Sequence, residues 1–111
     1  IYGDGEQSRD FTFVENVVEA NVLALTAAGA AGKLCNIGCG TRVSLNQLVR
    51  LLETALGRKA NVEYLPNRLG DVRDSLADIN AAKNILGYVP KVSIEAGLRQ
   101  TIDWFRAQTS L

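Results

Sequence analysis

Arginines and aspartates set in turns are the side chains of this chain best placed to do chemistry. Arg9 stands directly before Asp10-Phe11, and Arg68 and Arg73 flank Gly70-Asp71 in a charged stretch, off any helix face. An arginine fixed in a turn presents a planar fork that matches phosphate oxygens. An aspartate beside it can accept hydrogen bonds from sugar hydroxyls, so the combination reads as a nucleotide clamp. A plainer reading pairs Arg9 with Asp10 or Glu6, and Arg73 with Asp74, as surface ion pairs worth at most about 1 kcal/mol. On residue types and spacing alone, the plainer reading is favoured.

Other chemistry is narrowed by what the sequence lacks. There is no histidine, which removes the commonest general base and metal ligand and every Ser-His or Cys-His pair. Cys35 and Cys39 form one Cys-x-x-x-Cys without a second pair, too few ligands for structural zinc and too few bridges for a disulfide scaffold. Cys35, in an apolar run, reads as core and Cys39, between glycines, as a turn residue; a reducing cytoplasm fits both. Gly38-x-Gly40 lacks the third glycine of a dinucleotide loop and Gly29 to Lys33 lacks the Walker spacing, so no backbone phosphate cradle is expected. Asp10, Asp71 and Asp74 could converge as a carboxylate pair for glycoside hydrolysis, but acidic residues in polar loops are usually solvated or capping.

The elements that must position the arginines and aspartates belong to a short chain. It has 111 residues, 47% of them hydrophobic, and is expected to form a single domain over 1–111 with one small core. Such a domain buries about two-thirds of its unfolded surface. Net charge is zero, with no run of as many as about five like charges, which argues against nucleic-acid and anionic-membrane partners. No apolar run reaches the roughly 18 residues of a spanning helix, and no leader pattern is present. A chain that starts at Ile1 and contains no methionine is expected to be part of a longer reading frame.

Strands are expected at Phe11–Val14, Lys33–Gly38 and Asn61–Leu65, the last ended by Pro66. Asn16 is the expected N-cap of a helix from Val17 to Ala28, so rich in apolar residues that burial on more than one side is predicted. Ser44-Leu45-Asn46-Gln47 is a capping box before an amphipathic helix closed by Gly57. Asp78 caps a short helix ended by Gly87, and Ser93 caps a last helix in which Leu98, Ile102 and Phe105 share a face. Tyr64 and Tyr88 read as core with wet hydroxyls, and Trp104 and Phe105 as core or interface. The fold class is α/β, a small mixed lobe of three short strands and four helices. So small a sheet leaves apolar surface that needs another layer.

Four segments together resemble a family. They are Gly3-Asp4-Gly5-Glu6-Gln7-Ser8-Arg9-Asp10-Phe11-Thr12-Phe13-Val14, Asn36-Ile37-Gly38-x-Gly40-x-x-x-Ser44-Leu45, Arg68-x-Gly70-Asp71-Val72-Arg73-x-Ser75-x-Ala77-Asp78 and Leu86-Gly87-Tyr88-x-Pro90. In this order they are similar to nucleotide-sugar epimerases and dehydratases of the extended short-chain dehydrogenase/reductase superfamily. The resemblance is nearest to UDP-hexose 4-epimerases, in particular the UDP-N-acetylglucosamine branch, through Ser8-Arg9-Asp10-Phe11 and Glu15-Asn16. It is confined to the C-terminal, substrate-binding third of those enzymes, and it implies that the Rossmann domain is missing here. It further implies that Arg9 and Arg68 contact the UDP diphosphate, that Asp71 binds ribose hydroxyls, that Tyr2 lies near the uracil and that Ser44 lies near the nucleotide. This turns the balance for the arginines toward phosphate.

The same resemblance implies NAD in the complete enzyme, held on a Gly-x-x-Gly-x-x-Gly loop with a Tyr-x-x-x-Lys pair for proton and hydride chemistry. Neither is in this chain: Tyr2, Tyr64 and Tyr88 are followed four residues on by Glu6, Arg68 and Val92. No catalytic, cofactor-binding or metal-binding residue is therefore assigned. Three readings follow: the UDP-sugar-binding part of an NAD-dependent 4-epimerase, inactive alone; the same part of a 4,6-dehydratase or decarboxylase; or a non-catalytic module that self-associates into a homo-oligomer through its apolar surface.

Overall fold

The structure, a computed structural model, describes residues 1–108. In chain order it has β1 (Ser8–Arg9), α1 (Val14–Thr26), β2 (Val43–Ser44), α2 (Leu45–Leu56), α3 (Asn80–Leu86) and α4 (Ile94–Gln108). The four helices and the α/β class agree with the sequence. The strands do not: β1 and β2 form a two-stranded antiparallel ribbon with Ser8 opposite Ser44, and the only further pairings among the described residues are single parallel bridges, Tyr2–Leu65 and Ser8–Asp74.

Each expected strand fails for want of a partner. Lys33–Gly38 has strand composition but no neighbouring strand to bond. Phe11–Phe13 is irregular and the helix has already begun at Val14, while Asn61–Leu65 is reduced to the bridge at Leu65. A β propensity is realised only where another strand supplies hydrogen bonds and cross-strand packing.

Helix ends are set more locally, and the sequence predicts most of them. Ser44 and Gln47 form the capping box of α2, and Gly57 closes that helix in the left-handed region at φ 69°. Gly87 does the same for α3, and the Ser93 hydroxyl accepts from Ala96 N–H at 3.2 Å in α4. Asp78 accepts from Asn80 N–H, one residue outside the Ile79 N-cap position. Asn16 departs from expectation. It sits inside the first turn of α1, buried, where its Oδ1 accepts from Lys91 N–H and Val92 N–H and its Nδ2 donates to Val92 O. Those bonds pin α1 to the segment leading into α4.

The core is small: Ala20, Ile79, Ala82 and Tyr88, with Leu23, Cys35, Ile37, Ala77 and Leu86 packed around them. Tyr88 is core, but its hydroxyl is dry, donating to Gly38 O at 2.8 Å in a buried bond. Tyr64 is exposed instead, as are Trp104 and Phe105, which meet edge to face. The α1 helix buries only one side. Asn16, Ala20 and Leu23 face inward, and Val14, Val18, Val22 and Leu25, on the opposite face at helical spacing, are exposed.

The molecule is thin and open. Its radius of gyration is 16.7 Å and its shortest extent 20 Å, where a compact chain of this length has a radius of about 13 Å. It exposes 7860 Å², against about 6,000 Å² for a folded monomer of this mass, so it buries nearer half than two-thirds of its unfolded surface. The expected level of burial is not reached because the apolar faces of α1 and of Lys33–Gly38 have no layer over them.

Candidate functional site

Ser8 organises the region around the arginines. Its N–H donates to Arg73 O at 3.0 Å, its carbonyl accepts from Ser75 N–H at 3.1 Å and its hydroxyl donates to Asp74 Oδ1 at 2.5 Å. On its other edge β1 pairs with β2. The dipeptide Ser8-Arg9 is thereby clamped between β2 and residues 73–75, which brings Arg9 against a loop far away in sequence.

Arg9 Nη2 meets Asp71 Oδ1 at 3.0 Å, and Nη1 donates to Ser8 O at 2.7 Å and Arg73 O at 3.2 Å. The ion pair expected with Asp10 or Glu6 is thus made with Asp71. Arg73 pairs with Asp4, through bonds of 2.9 and 3.1 Å, and not with Asp74. The Arg73 fork, with help from Glu6 N–H, holds the Asp4 carboxyl below its ordinary value, and the Ser8 hydroxyl does the same for Asp74. Neither expected pair formed; each arginine instead meets a carboxylate across the fold, because adjacent residues of an extended chain point to opposite faces.

Arg68 lies over the Tyr2 ring, 6.0 Å from its centroid, within cation–π range. Tyr2 is fixed by a parallel bridge in which Gly3 N–H donates to Leu65 O and Leu65 N–H to Ile1 O. Tyr2, Gln7, Arg68, Asp71 and Arg73 line one hollow of about 230 Å³. Arg9, Asp10, Asn36, Gly38 and Ser75 line another of about 380 Å³, and the Arg9–Asp71 pair joins the two. Ser44 lines neither; its hydroxyl accepts from Gln47 N–H and its backbone holds β1. A wider groove of about 600 Å³ beside Arg42 and Arg50 contains none of Tyr2, Arg9, Arg68 or Asp71.

The glycine-rich turn is already filled by the protein. Asp10 accepts from Cys39 N–H and Gly40 N–H, both at 2.9 Å, so these amides are not free for phosphate. A Cβ on Gly38 would come within 2.6 Å of Asp10 Oδ2 and 2.7 Å of the Ala77 side chain, so this glycine serves packing. The residues present do not fit NAD: they offer neither a vacant glycine cradle nor a tyrosine with a lysine four residues on. Asp10, Asp71 and Asp74 each have a separate partner and form no carboxylate pair, and no cluster of metal ligands occurs among the described residues.

Sequence reasoning missed Gln7. It is buried, lines the hollow with Tyr2 and Asp71, and its Nε2 donates to Tyr2 O at 2.6 Å. The available signal was its position two residues before Arg9 in an extended run, which puts both on one face.

The fold is that of the extended short-chain dehydrogenase/reductase class, and this chain corresponds to a C-terminal region of such proteins. The chain belongs to the GDP-mannose 4,6 dehydratase family, whose profile matches residues 1–101. It is 38% identical over 112 aligned residues to a UDP-glucuronate 4-epimerase of Thermodesulfobacterium geofontis, covering 100% of this chain and 34% of that protein. It superposes with TM-score 0.91 and 43% identity on a UDP-glucose 4-epimerase with UDP-glucose from Thermotoga maritima, covering 98% of this chain and 35% of that one. A UDP-glucuronic acid 4-epimerase from Bacillus cereus, in complex with UDP-glucuronic acid and NAD, matches at TM-score 0.90 and 32% identity over 97% of this chain and 35% of that one. The chain thus spans about a third of the length of these relatives. No helix among the described residues is long and apolar enough to cross a membrane.

Proposed function

We propose that this chain holds the nucleotide of a UDP-sugar, as one domain over 1–111 of an NAD-dependent UDP-hexose 4-epimerase. The observation that carries this reading is the Arg9–Asp71 pair, which links two adjoining hollows, one of them also lined by Arg68 and Tyr2. Arg9 and Arg68 neutralise the diphosphate, Asp71 accepts from the ribose hydroxyls, Tyr2 flanks the uracil and Ser44 supports the site by holding β1. Charge-assisted bonds to phosphate are the strong ones, and arginine forks suit them. No residue of this chain performs the redox chemistry. Its part is to grip the substrate remote from the reacting carbon, so that binding energy orients the sugar.

The partner this reading requires is an NAD-binding Rossmann domain, and the exposed face of Val14, Val18, Val22 and Leu25 supports such a contact. NAD is held there. The excess exposed surface also supports a second reading, in which copies self-associate through the same face. The family description keeps a 4,6-dehydratase in view, and the residues that would distinguish it lie outside this chain. A cytoplasmic location is part of this reading, and the unbridged Cys35 and Cys39 support it.

Calorimetric titration with UDP and UDP-N-acetylglucosamine tests the reading. Arg68→Ala is expected to weaken binding at least roughly tenfold, as loss of a charged hydrogen bond does. Folded wild-type protein that binds neither ligand would overturn it for this chain.

A further inference from the structure

The groove beside Arg42 and Arg50 has no part in the site described above. Its volume is about 600 Å³, within the range of small-molecule sites. Half-buried Val43, Leu51, Val92 and Ile94 give it apolar walls. Bonds within the chain hold those walls in place. Val43 is paired with Arg9 in the ribbon, the Ser44–Gln47 box fixes the start of α2, and the Asn16 amide holds the Lys91 and Val92 backbone. Gln47, Arg50 and Leu51 stand at helical spacing on α2 and all face the groove.

Its charge is uneven. Arg42 and Arg50 are exposed, and neither guanidinium joins an ion pair or a side-chain hydrogen bond among the described residues. Each acts on a carboxylate only at a distance, Arg42 on Asp74 and Arg50 on Glu53. Lys91 is already held by Glu19, and the one carboxylate in the lining is Glu95. The groove therefore sets two cations without bonded partners beside an apolar wall.

We infer that this groove is a second ligand site, for a small molecule that joins an apolar ring or chain to a phosphate monoester. Exposed guanidiniums alone hold a bare anion weakly, because water and salt screen the charge. Apolar walls alone give no preference for charge. A ligand with both parts buries its body on Val43, Leu51 and Ile94 and brings its head to the arginine forks, where close to two negative charges at neutral pH outweigh Glu95. The inference does not rest on the nucleotide reading, so a chain that binds no UDP leaves it standing.

The test follows backbone amide signals of the ¹⁵N-labelled chain as 1-naphthyl phosphate is added. The amides of Thr41 to Val43 and of Arg50 and Leu51 are expected to shift together with one dissociation constant. Inorganic phosphate and neutral 1-naphthol are each expected to bind at least roughly tenfold more weakly, as is 1-naphthyl phosphate to Arg42→Gln/Arg50→Gln. No saturable shift, or shifts centred on Tyr2, Arg68 and Asp71, overturns the inference. So does a double variant with wild-type affinity, or inorganic phosphate or 1-naphthol that binds as tightly as the ester. If the double variant does not fold, the wild-type shift map and the comparison of the three ligands decide.

Discussion

Arg9 and Asp71 meet at 3.0 Å across 62 positions of sequence, one lining each of two adjoining hollows. Two residues that a family resemblance gives to different parts of a nucleotide, phosphate and ribose, hold each other in place. Both side chains are partly exposed, 30% and 44%, so the pair adds at most about 1 kcal/mol to folding. Its worth is in orientation. Arg9→Ala and Asp71→Asn are each expected to leave the melting temperature within about 4 °C of wild type while weakening UDP binding roughly tenfold or more. Calorimetry and thermal melts separate the two effects, and a collapse of stability with unchanged affinity would speak against the site.

Asp10 is expected to be structural. Its carboxylate takes two backbone amides of the Gly38–Gly40 turn, and Asp10→Ala leaves both without a partner. A loss of about 2–3 kcal/mol is expected in urea unfolding. Asp10→Asn, which keeps one acceptor, should lose less. If Asp10→Ala were as stable as wild type, the turn would have to be held by something else.

Gly97 reverses the usual helix rule. An alanine in an exposed helix interior gains about 1 kcal/mol over glycine. Here, in α4, a Cβ would meet Phe13 at 2.7 and 2.8 Å, at the crossing with the start of α1. Gly97→Ala is expected to cost about 1–3 kcal/mol by overpacking. Equilibrium denaturation of that single variant gives the sign directly.

Alkaline sensitivity should come from Tyr88. Burial pushes its phenol above the ordinary value, reinforced by nearby Cys39, Asp10 and Glu19. A raised folded-state value means that its contribution is fully present below the unfolded value of about 10, and is lost as pH rises through the folded one. Melting temperature should fall above about pH 10. Tyr88→Phe removes that slope but leaves Gly38 O unpaired, at a cost of about 1–3 kcal/mol near neutrality. A variant with the same alkaline slope as wild type would assign the effect to another group.

Acid sensitivity has the opposite sign. Asp4, lowered chiefly by Arg73, and Asp74, lowered chiefly by the Ser8 hydroxyl, stabilise the fold above the ordinary carboxylate range near pH 4. That stabilisation is lost as pH falls through their lowered values. The Asp74 link holds β1 to residues 73–75, so UDP affinity measured from pH 6 down to pH 3 should fall before the helices melt. Simultaneous loss of both would show that β1 is not a separately weakened element.

What was legible in the sequence was local. The capping box at Ser44 and Gln47, the glycines that end α2 and α3 and the Ser93 cap depend on backbone groups within a few residues, and they stand as expected. The three strands were misjudged because strand formation needs a partner, and Lys33–Gly38 has none in this chain. Arg9, Arg68, Asp71 and Tyr2 were singled out from turn chemistry and resemblance, and the structure gathers them around two adjoining hollows.

By itself the sequence determined the residue types on offer: arginine forks and carboxylates in turns, no histidine, no free tyrosine–lysine pair and helices with marked ends. Only the tertiary structure decided which charges meet. The bonds of Arg9 to Asp71, of Arg73 to Asp4 and of the Asn16 side chain to the Val92 backbone depend on segments brought together across the fold. Gln7 became visible in the same way, since whether an amide oxygen is buried without a partner is a property of its surroundings and not of its spacing in the chain.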